Sequence, residues 1–305
     1  GIPERIVKDI KTKILDKDEL SINKLFRYPD THKADYGKLC IFAGSKYYSG
    51  AASLCSAASV KSGCGLCYLF LPEEIISMQS SRLPEVITIP VSSIDGVMTY
   101  DGYLKNTKYL EKTDVIIFGC GLTTNEQISK ILIHILESYQ IPMVIDADGL
   151  NVISMMKDAH TILQKREAKT ILTPHYGEAA RLLGVDISNI KSDPISSSIE
   201  IANRYNAICV LKGSRTIITD GSLIYINVLG NAGMAKGGSG DVLTGIIGSL
   251  LSQGFDAFEA AKLGVYLHSL SADMLFESYP LQSITPSDII ENVKNAILRV
   301  IDIKR

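Results

Sequence analysis

From Lys38 onward the chain alternates short apolar runs with glycine-marked turns and stretches of helical period. The apolar runs fall at 39–43, 66–71, 86–91, 114–118, 142–145, 170–172 and 207–211. Most stay apolar at successive positions instead of alternating. This predicts strands covered on both faces, as in a parallel sheet held between helical layers. Of the helices between them, 125–139 is the clearest: Ile128, Ile131, Leu132, Ile135, Leu136 and Tyr139 trace one face of period 3.6. His134 lies off that face and is expected in solvent. Strand–helix alternation with right-handed crossovers gives a doubly wound or similar three-layer α/β fold.

The pattern changes near Asp220-Gly221. Residues 215–219 and 223–228 flank this dipeptide as a β-hairpin with an expected type I′ turn. Helical segments follow at 256–278 and 286–303. The stretch 2–27 is expected to be a helical N-terminal extension to a catalytic core over 28–305. With no Pro/Ser-rich linker, charge block or internal repeat, the expectation is a single domain over 1–305.

Composition narrows the function. In 305 residues, 46% hydrophobic and 21% charged, the net charge of −2 gives no reason to propose nucleic acid or an anionic membrane as partner. No run approaches the roughly 20 apolar residues that cross a bilayer. Residues 2–20 are charged throughout and lack the apolar core of a secretory signal. The expectation is a soluble, cytoplasmic protein. Its six cysteines fit reduced, mostly buried thiols; Cys64 and Cys67 form a CxxC, but no second pair or nearby histidine completes a zinc set.

Ligands of open α/β sheets bind at the carboxyl ends of strands, and four segments put unusual residues there. The richest runs from Asn231 to Asp241, NAGMAKGGSGD, into the apolar stretch VLTGII. Gly238, Ser239 and Gly240 lead into a helix whose free N–H groups and positive dipole end suit an anion, such as a phosphoryl group in transfer. Asp241 beside that anion has two readings: a base that takes a proton from a substrate hydroxyl, or a plain N-cap. The second segment, TPHYGE, carries His175 and Glu178; Glu178 either holds Mg²⁺ through water or favours the helix N-terminus by charge. The third, Lys212, Gly213, Ser214, Arg215 and Thr216, either grips a nucleotide or forms a solvated turn. The fourth is the Gly/Ser loop from Gly44 to Ala51. Asp146 and Asp148, after the strand ending at Ile145, either touch ligand or metal or, the preferred reading, serve turn formation and capping; His268 fits a satisfied core histidine.

In this order the segments resemble the NAD(P)H-hydrate dehydratase family of the ribokinase-like superfamily. The matching stretches are GKLCIFAGSKYYSGAA, FGCGL, IDADGLN, TPHYGEAARLL, KGSRTIITDG and NAGMAKGGSGDVLTGIIGSLL, spread from Gly37 to Leu251. The GGSGD turn indicates only the superfamily, whereas TPHYGE together with NAGMAKGGSGDVL is far more specific. The resemblance implies a three-layer α/β/α sandwich on a mostly parallel sheet. It also implies dehydration of the 6S-hydrate of NADH or NADPH at the expense of ADP, with Mg²⁺, giving AMP and phosphate. Carried over by motif, Asp241 is the base and the Gly238–Gly240 backbone neutralises the phosphoryl group. Ala51, Gly121, His175 and Asp241 contact the hydrate, while Lys212 to Thr216 and Gly240 hold the AMP portion. A homo-oligomer, as a tetramer, and a separate epimerase are further implications.

Three departures stand out. The family's GPGLG reads Gly119-Cys120-Gly121-Leu122-Thr123 here. Ala232 stands where proline is usual, and Lys236 and Ser239 where threonine is usual. The rival reading is a kinase of the same superfamily acting on a hydroxymethylpyrimidine or thiazole alcohol. His175 separates the two, since thiazole-type kinases tend to have asparagine there. A nucleotide binder without catalysis is the third reading; it has no need of the base at Asp241.

Overall fold

The computed structural model describes residues 11–303. Ten strands form one sheet: β1 (Thr12–Ile14), β2 (Lys38–Phe42), β3 (Leu66–Pro72), β4 (Ile87–Val91), β7 (Val115–Phe118), β8 (Met143–Ile145), β9 (Thr170–Leu172), β10 (Ile208–Leu211), β11 (Ile217–Thr219) and β12 (Ile224–Ile226). A separate small hairpin pairs β5 (Ser93–Ile94) with β6 (Val97–Met98). The large sheet runs β1-β12-β11-β10-β9-β8-β7-β2-β3-β4. Its ladders are parallel except where β11 pairs antiparallel with β10 and β12.

The unbroken apolar runs have a direct explanation. Along β2, Leu39 and Ile41 join one buried cluster while Cys40 and Phe42 join the other, and Val115 and Ile117 alternate in the same way with Ile116 and Phe118. Helices α1 (Ser49–Lys61), α2 (Glu126–Ser138), α3 (Asp148–Met155), α4 (Tyr176–Leu183), α5 (Pro194–Tyr205), α6 (Ser239–Ser252), α7 (Ala257–Phe276) and α8 (Pro286–Ile303) cover the two faces. α1, α6, α7 and α8 pack on the first cluster; α2, α3, α4 and α5 pack on the second. The result is the expected three-layer α/β/α sandwich on a mostly parallel sheet.

α2 follows its predicted period closely. Asn125 caps it, its Oδ1 accepting the Ile128 N–H at 3.0 Å, and Ile128, Ile131, Leu132, Ile135 and Leu136 are buried. His134 is not in solvent. It is half-buried among Tyr100, Tyr103 and Tyr139, with Nδ1 2.9 Å from the Tyr103 hydroxyl.

Two other expectations change. Residues 11–27 of the extension are not α-helical: β1 lies parallel to β12, and short 3₁₀ turns follow at Lys17–Glu19 and Asn23–Leu25. Thr12 is half-buried while Lys13 and Ile14 are exposed, so the segment lacks a helical stripe and gains its stability from the β12 edge. Residues 1–10 lie outside the described residues. The β11–β12 hairpin forms, but Thr219 pairs with Ile224, leaving a four-residue loop in place of the two-residue type I′ turn. Asp220 closes that loop, its Oδ1 accepting the N–H groups of Ser222 and Leu223 at 2.8 Å each.

β3 and β4 lie on one side of β2, and the chain then returns to lay β7 on the other side. The crevice between the ends of β2 and β7 is therefore the topological switch point, where ligands of this architecture bind.

Candidate functional site

The ends of five neighbouring strands supply the site. After β2 the chain turns at Gly44, whose N–H donates to the Cys120 carbonyl at 2.8 Å, tying the Gly44–Ala51 loop to the turn after β7. Gly121 has φ 66°, and a Cβ there would come within 2.8 Å of both Ala51 Cβ and the Tyr48 carbonyl. Ala51 and Gly121, assigned to the substrate side by resemblance, are thus direct neighbours at the switch point. Thr123, the departure from the family's glycine, sits at φ 67°, a conformation that crowds a β-branched side chain. Asp148 pins it, Oδ2 accepting the Thr123 N–H at 2.8 Å. Thr123→Gly is expected to relieve the strain and raise stability by about 1 kcal/mol after glycine's extra unfolded-state freedom is subtracted. Calorimetry would register a Tm increase of about 2 °C; a decrease would mean that the Thr123 side chain stabilises the turn.

The glycine-rich segment delivers Asp241 as the third residue of α6. The N-cap is Gly238, at φ 100°, where a Cβ would stand 2.4 Å from Leu54 Cδ1. The capping reading of Asp241 therefore does not describe its position. Burial, reinforced by the charge of Asp146, raises its carboxyl to about 6, with the Cys120 thiol and Lys212 pulling the other way. An oxygen of Asp241, an oxygen of Asp146 and Cys120 Sγ all lie within 4.8 Å of one another. A carboxyl near 6 is ionised at neutral pH yet still basic, the compromise a general base requires.

Asp146 is the residue whose importance the sequence reading missed. It is 1% exposed, Oδ1 accepts from Lys212 Nζ at 2.6 Å, and Oδ2 accepts from Thr244 Oγ1 at 2.7 Å. One carboxylate thus links β8, the Lys212 segment and α6. Burial alone would lower the Lys212 ammonium, yet Asp146 and Glu178 hold it above its ordinary value. The signal available in the sequence was Asp146 directly after a buried strand. Its partners at 212 and 244 are distant in the chain, and only the fold brings them together.

His175 and Glu178 form a capping box at the start of α4. His175 Nδ1 accepts the N–H groups of Gly177 at 2.9 Å and Glu178 at 3.1 Å, and Glu178 Oε2 accepts the His175 N–H at 2.7 Å. Because Nδ1 accepts, the neutral ring carries its proton on Nε2. Burial and the nearby Lys212 and Arg181 charges lower the His175 pKa. Glu178 is buried, which raises its carboxyl to about 7 against the pull of Lys212 Nζ at 3.9 Å.

A cleft of about 770 Å³ opens beside this network. His175, Lys212, Gly213, Ser214, Thr216, Ser239 and Gly240 line it, whereas Arg215 is exposed and does not. Ala51, Gly121, Glu178 and Asp241 also lie off the lining; Asp241 joins the two regions through Cys120 and Asp146. Gly240 faces Lys212 closely, since a Cβ there would sit 3.3 Å from Lys212 Nζ. Lys236 also lines the cleft, and its ammonium is engaged by backbone, donating to the carbonyls of Gln282 at 2.6 Å and Ile284 at 2.5 Å. It clamps the glycine-rich segment to the loop before α8.

His268 also lines the cleft and is not a satisfied core histidine. Its Nε2 is buried without a hydrogen-bond partner among the described residues, and burial pushes its pKa down to about 4. Its position inside an apolar helical stretch pointed to the core, whereas α7 turns it towards the cleft. Cys64 is half-buried and Cys67 buried; neither is in a disulfide, and the carboxylate–thiol group at Asp241 is the only metal-ligand cluster among the described residues.

Comparison with known proteins identifies the family. The family model described as NAD(P)H-hydrate dehydratase matches residues 39–295. The chain is 38% identical to the ADP-dependent (S)-NAD(P)H-hydrate dehydratase of Neisseria meningitidis, over 83% of this chain and 81% of that protein. It is 32% identical to the bifunctional NAD(P)H-hydrate repair enzyme of Thermofilum pendens, covering 97% of this chain and 56% of that one. The chain spans about half the length of such bifunctional relatives. Among solved structures, the ADP/ATP-dependent NAD(P)H-hydrate dehydratase of Bacillus subtilis, co-crystallised with ATP and Mg²⁺, superposes with a TM-score of 0.81 at 27% identity, covering 94% of this chain and 98% of that one. With the switch-point glycines, the capping box and the glycine-rich helix start assembled at one sheet edge, the chain belongs to the NAD(P)H-hydrate dehydratase family.

Proposed function

We propose that this chain restores NADH and NADPH from their 6S-hydrates, using ADP and releasing AMP and phosphate. Hydroxide is a poor leaving group, so the ring hydroxyl is first phosphorylated. Asp241 takes the hydroxyl proton as the oxygen attacks the terminal phosphorus of ADP, and the bond to AMP breaks. Phosphate then leaves the ring, pushed by the lone pair of the ring nitrogen, and loss of a proton from the neighbouring carbon restores the double bond. The N–H groups of the α6 first turn and Lys212 face the charge that develops during transfer.

The observation that carries this reading is Asp241, a half-buried carboxyl in the first turn of α6, within 4.8 Å of the Asp146 carboxylate that binds Lys212, and raised to about 6. On the same reading Ala51, Gly121 and His175 hold the hydrate, and Lys212 to Thr216 with Gly240 hold AMP, Arg215 from the cleft's outer edge. Mg²⁺ prefers an all-oxygen shell. The Asp241–Asp146–Cys120 group fits it poorly, because one member is a thiol and Asp146 is already bound by Lys212 and Thr244. Glu178 fits better because it offers oxygen alone: its Oε2 accepts the His175 N–H, its Oε1 lies 3.4 Å from His175 Nε2, and it would hold the ion through water against the phosphates, screening their charge. The unpaired thiols favour a reducing, cytoplasmic setting, and a homo-oligomer follows the same reading, with epimerisation left to a separate activity.

The test is to supply purified protein with Mg²⁺, ADP and NADH hydrate. The expected result is return of the dihydropyridine's near-ultraviolet absorbance, with AMP and phosphate formed in equal amounts. No recovery with ADP or ATP, together with phosphorylation of a pyrimidine or thiazole alcohol, would overturn the proposal in favour of the kinase.

A further inference from the structure

Three buried polar atoms have no hydrogen-bond partner among the described residues and belong to residues that line the cleft: Ser239 Oγ, Asn227 Oδ1 and His268 Nε2. Their residues are 8%, 2% and 5% exposed. Leaving such a group unsatisfied is costly, so three around one cavity mark a surface completed by a ligand. Ser239 begins α6, at the phosphate end proposed above. Asn227 and His268 are not explained by phosphate.

The Asn227 amide has a fixed orientation. Its Nδ2 donates to the Leu229 carbonyl at 2.9 Å and to Ser269 Oγ at 3.0 Å, leaving Oδ1 as an acceptor with nothing to accept from. His268 is one residue before Ser269 on α7, and burial keeps its ring neutral. Leu229, Met234 and Val265 line the cleft beside them. Apolar walls with one fixed acceptor and one neutral imidazole nitrogen suit a flat heteroaromatic ring that presents a donor next to an acceptor. Adenine offers this pattern, a 6-amino donor beside a ring nitrogen. Hypoxanthine and guanine reverse it, with a 6-oxo acceptor beside a ring N–H.

We infer that Asn227 and His268 read the nucleotide base: Asn227 Oδ1 accepts from the 6-amino group of adenine, and His268 Nε2–H donates to an adjacent ring nitrogen. This rests on the cleft being the nucleotide site proposed above. The 6-oxo base would set two acceptors and two donors face to face in a buried place.

The test is isothermal titration of the intact protein with ADP and with inosine diphosphate, without the hydrate. The wild type is expected to bind ADP at least about 10-fold more tightly. His268→Leu should reduce that ratio markedly, while His268→Gln, whose amide can still donate, keeps more of it. His268→Leu should also melt no lower than wild type without nucleotide, since it removes an unsatisfied polar atom. Equal binding of the two nucleotides by the wild type, or an unchanged ratio in His268→Leu, would overturn base reading. Failure to bind ADP at all would overturn it together with the nucleotide assignment. ADP-selective binding without hydrate turnover would support base reading and sink the proposed reaction alone.

Discussion

Asp241→Asn is expected to lower turnover of the hydrate by about 10²–10⁴-fold, the usual worth of a positioned general base, while ADP binding changes little. Asn matches the carboxylate in shape but cannot accept the hydroxyl proton. A stability measurement separates this from simple damage. The Asp241 carboxyl at about 6 lies above its ordinary 3.8, so the folded protein binds that proton more tightly than the unfolded chain. Protonation therefore stabilises the fold fully below about pH 4, and that contribution is lost as pH rises through about 6. Near pH 7.5 the wild type carries the cost of the buried charge and Asp241→Asn does not. The variant should be more stable there, by on the order of 1–3 kcal/mol, though nearly inactive. In the wild type, activity should fall as pH drops below about 6, because the base becomes protonated. A variant that turns over normally would show that another group takes the proton.

The second large effect concerns Lys212→Met. The Lys212–Asp146 pair is largely buried, with side chains 18% and 2% exposed and a 2.6 Å contact. Removing one partner of such a pair typically costs about 3–5 kcal/mol, because the other charge is left uncompensated. Here Asp146 would keep only the Thr244 hydroxyl, with Asp241 and Glu178 close by. Urea denaturation should show the loss, and calorimetric titration should show weakened ADP binding. Asp146→Asn combined with Lys212→Met should recover part of the stability, since no lone charge remains, without recovering ADP affinity. A double variant no more stable than Lys212→Met would mean that the pair is not the source of the loss.

Much of this site could be read along the chain because its pieces are local motifs. Gly238, Gly240 and Asp241 share one turn, His175 and Glu178 share another, and unbroken apolar runs such as 39–43 and 115–118 reported strands buried on both faces. What escaped depends on contacts between distant residues. Asp146 looked like a turn residue until Lys212 and Thr244 closed on it, and His268 looked like core until α7 faced the cleft. His134 shows the same limit in another place: falling off the apolar face of α2 does not mean solvent when tyrosines from other segments cover that flank. The N-terminal arm misled for a related reason. Three residues that gain order by joining a sheet edge carry no periodic signal.

That arm has a consequence for synthesis. β1 pairs with β12, and Glu19 accepts from the Tyr225 hydroxyl 206 residues further on. A ribosome adding about 5–20 residues per second reaches that partner roughly 10–40 s after Glu19 is made. During that interval Leu15, Leu20 and Ile22, buried in the finished protein, await the complete cluster that they join. Residues 12–22 are thus among the last to find their place, and their apolar side chains call for chaperone cover until the sheet edge arrives.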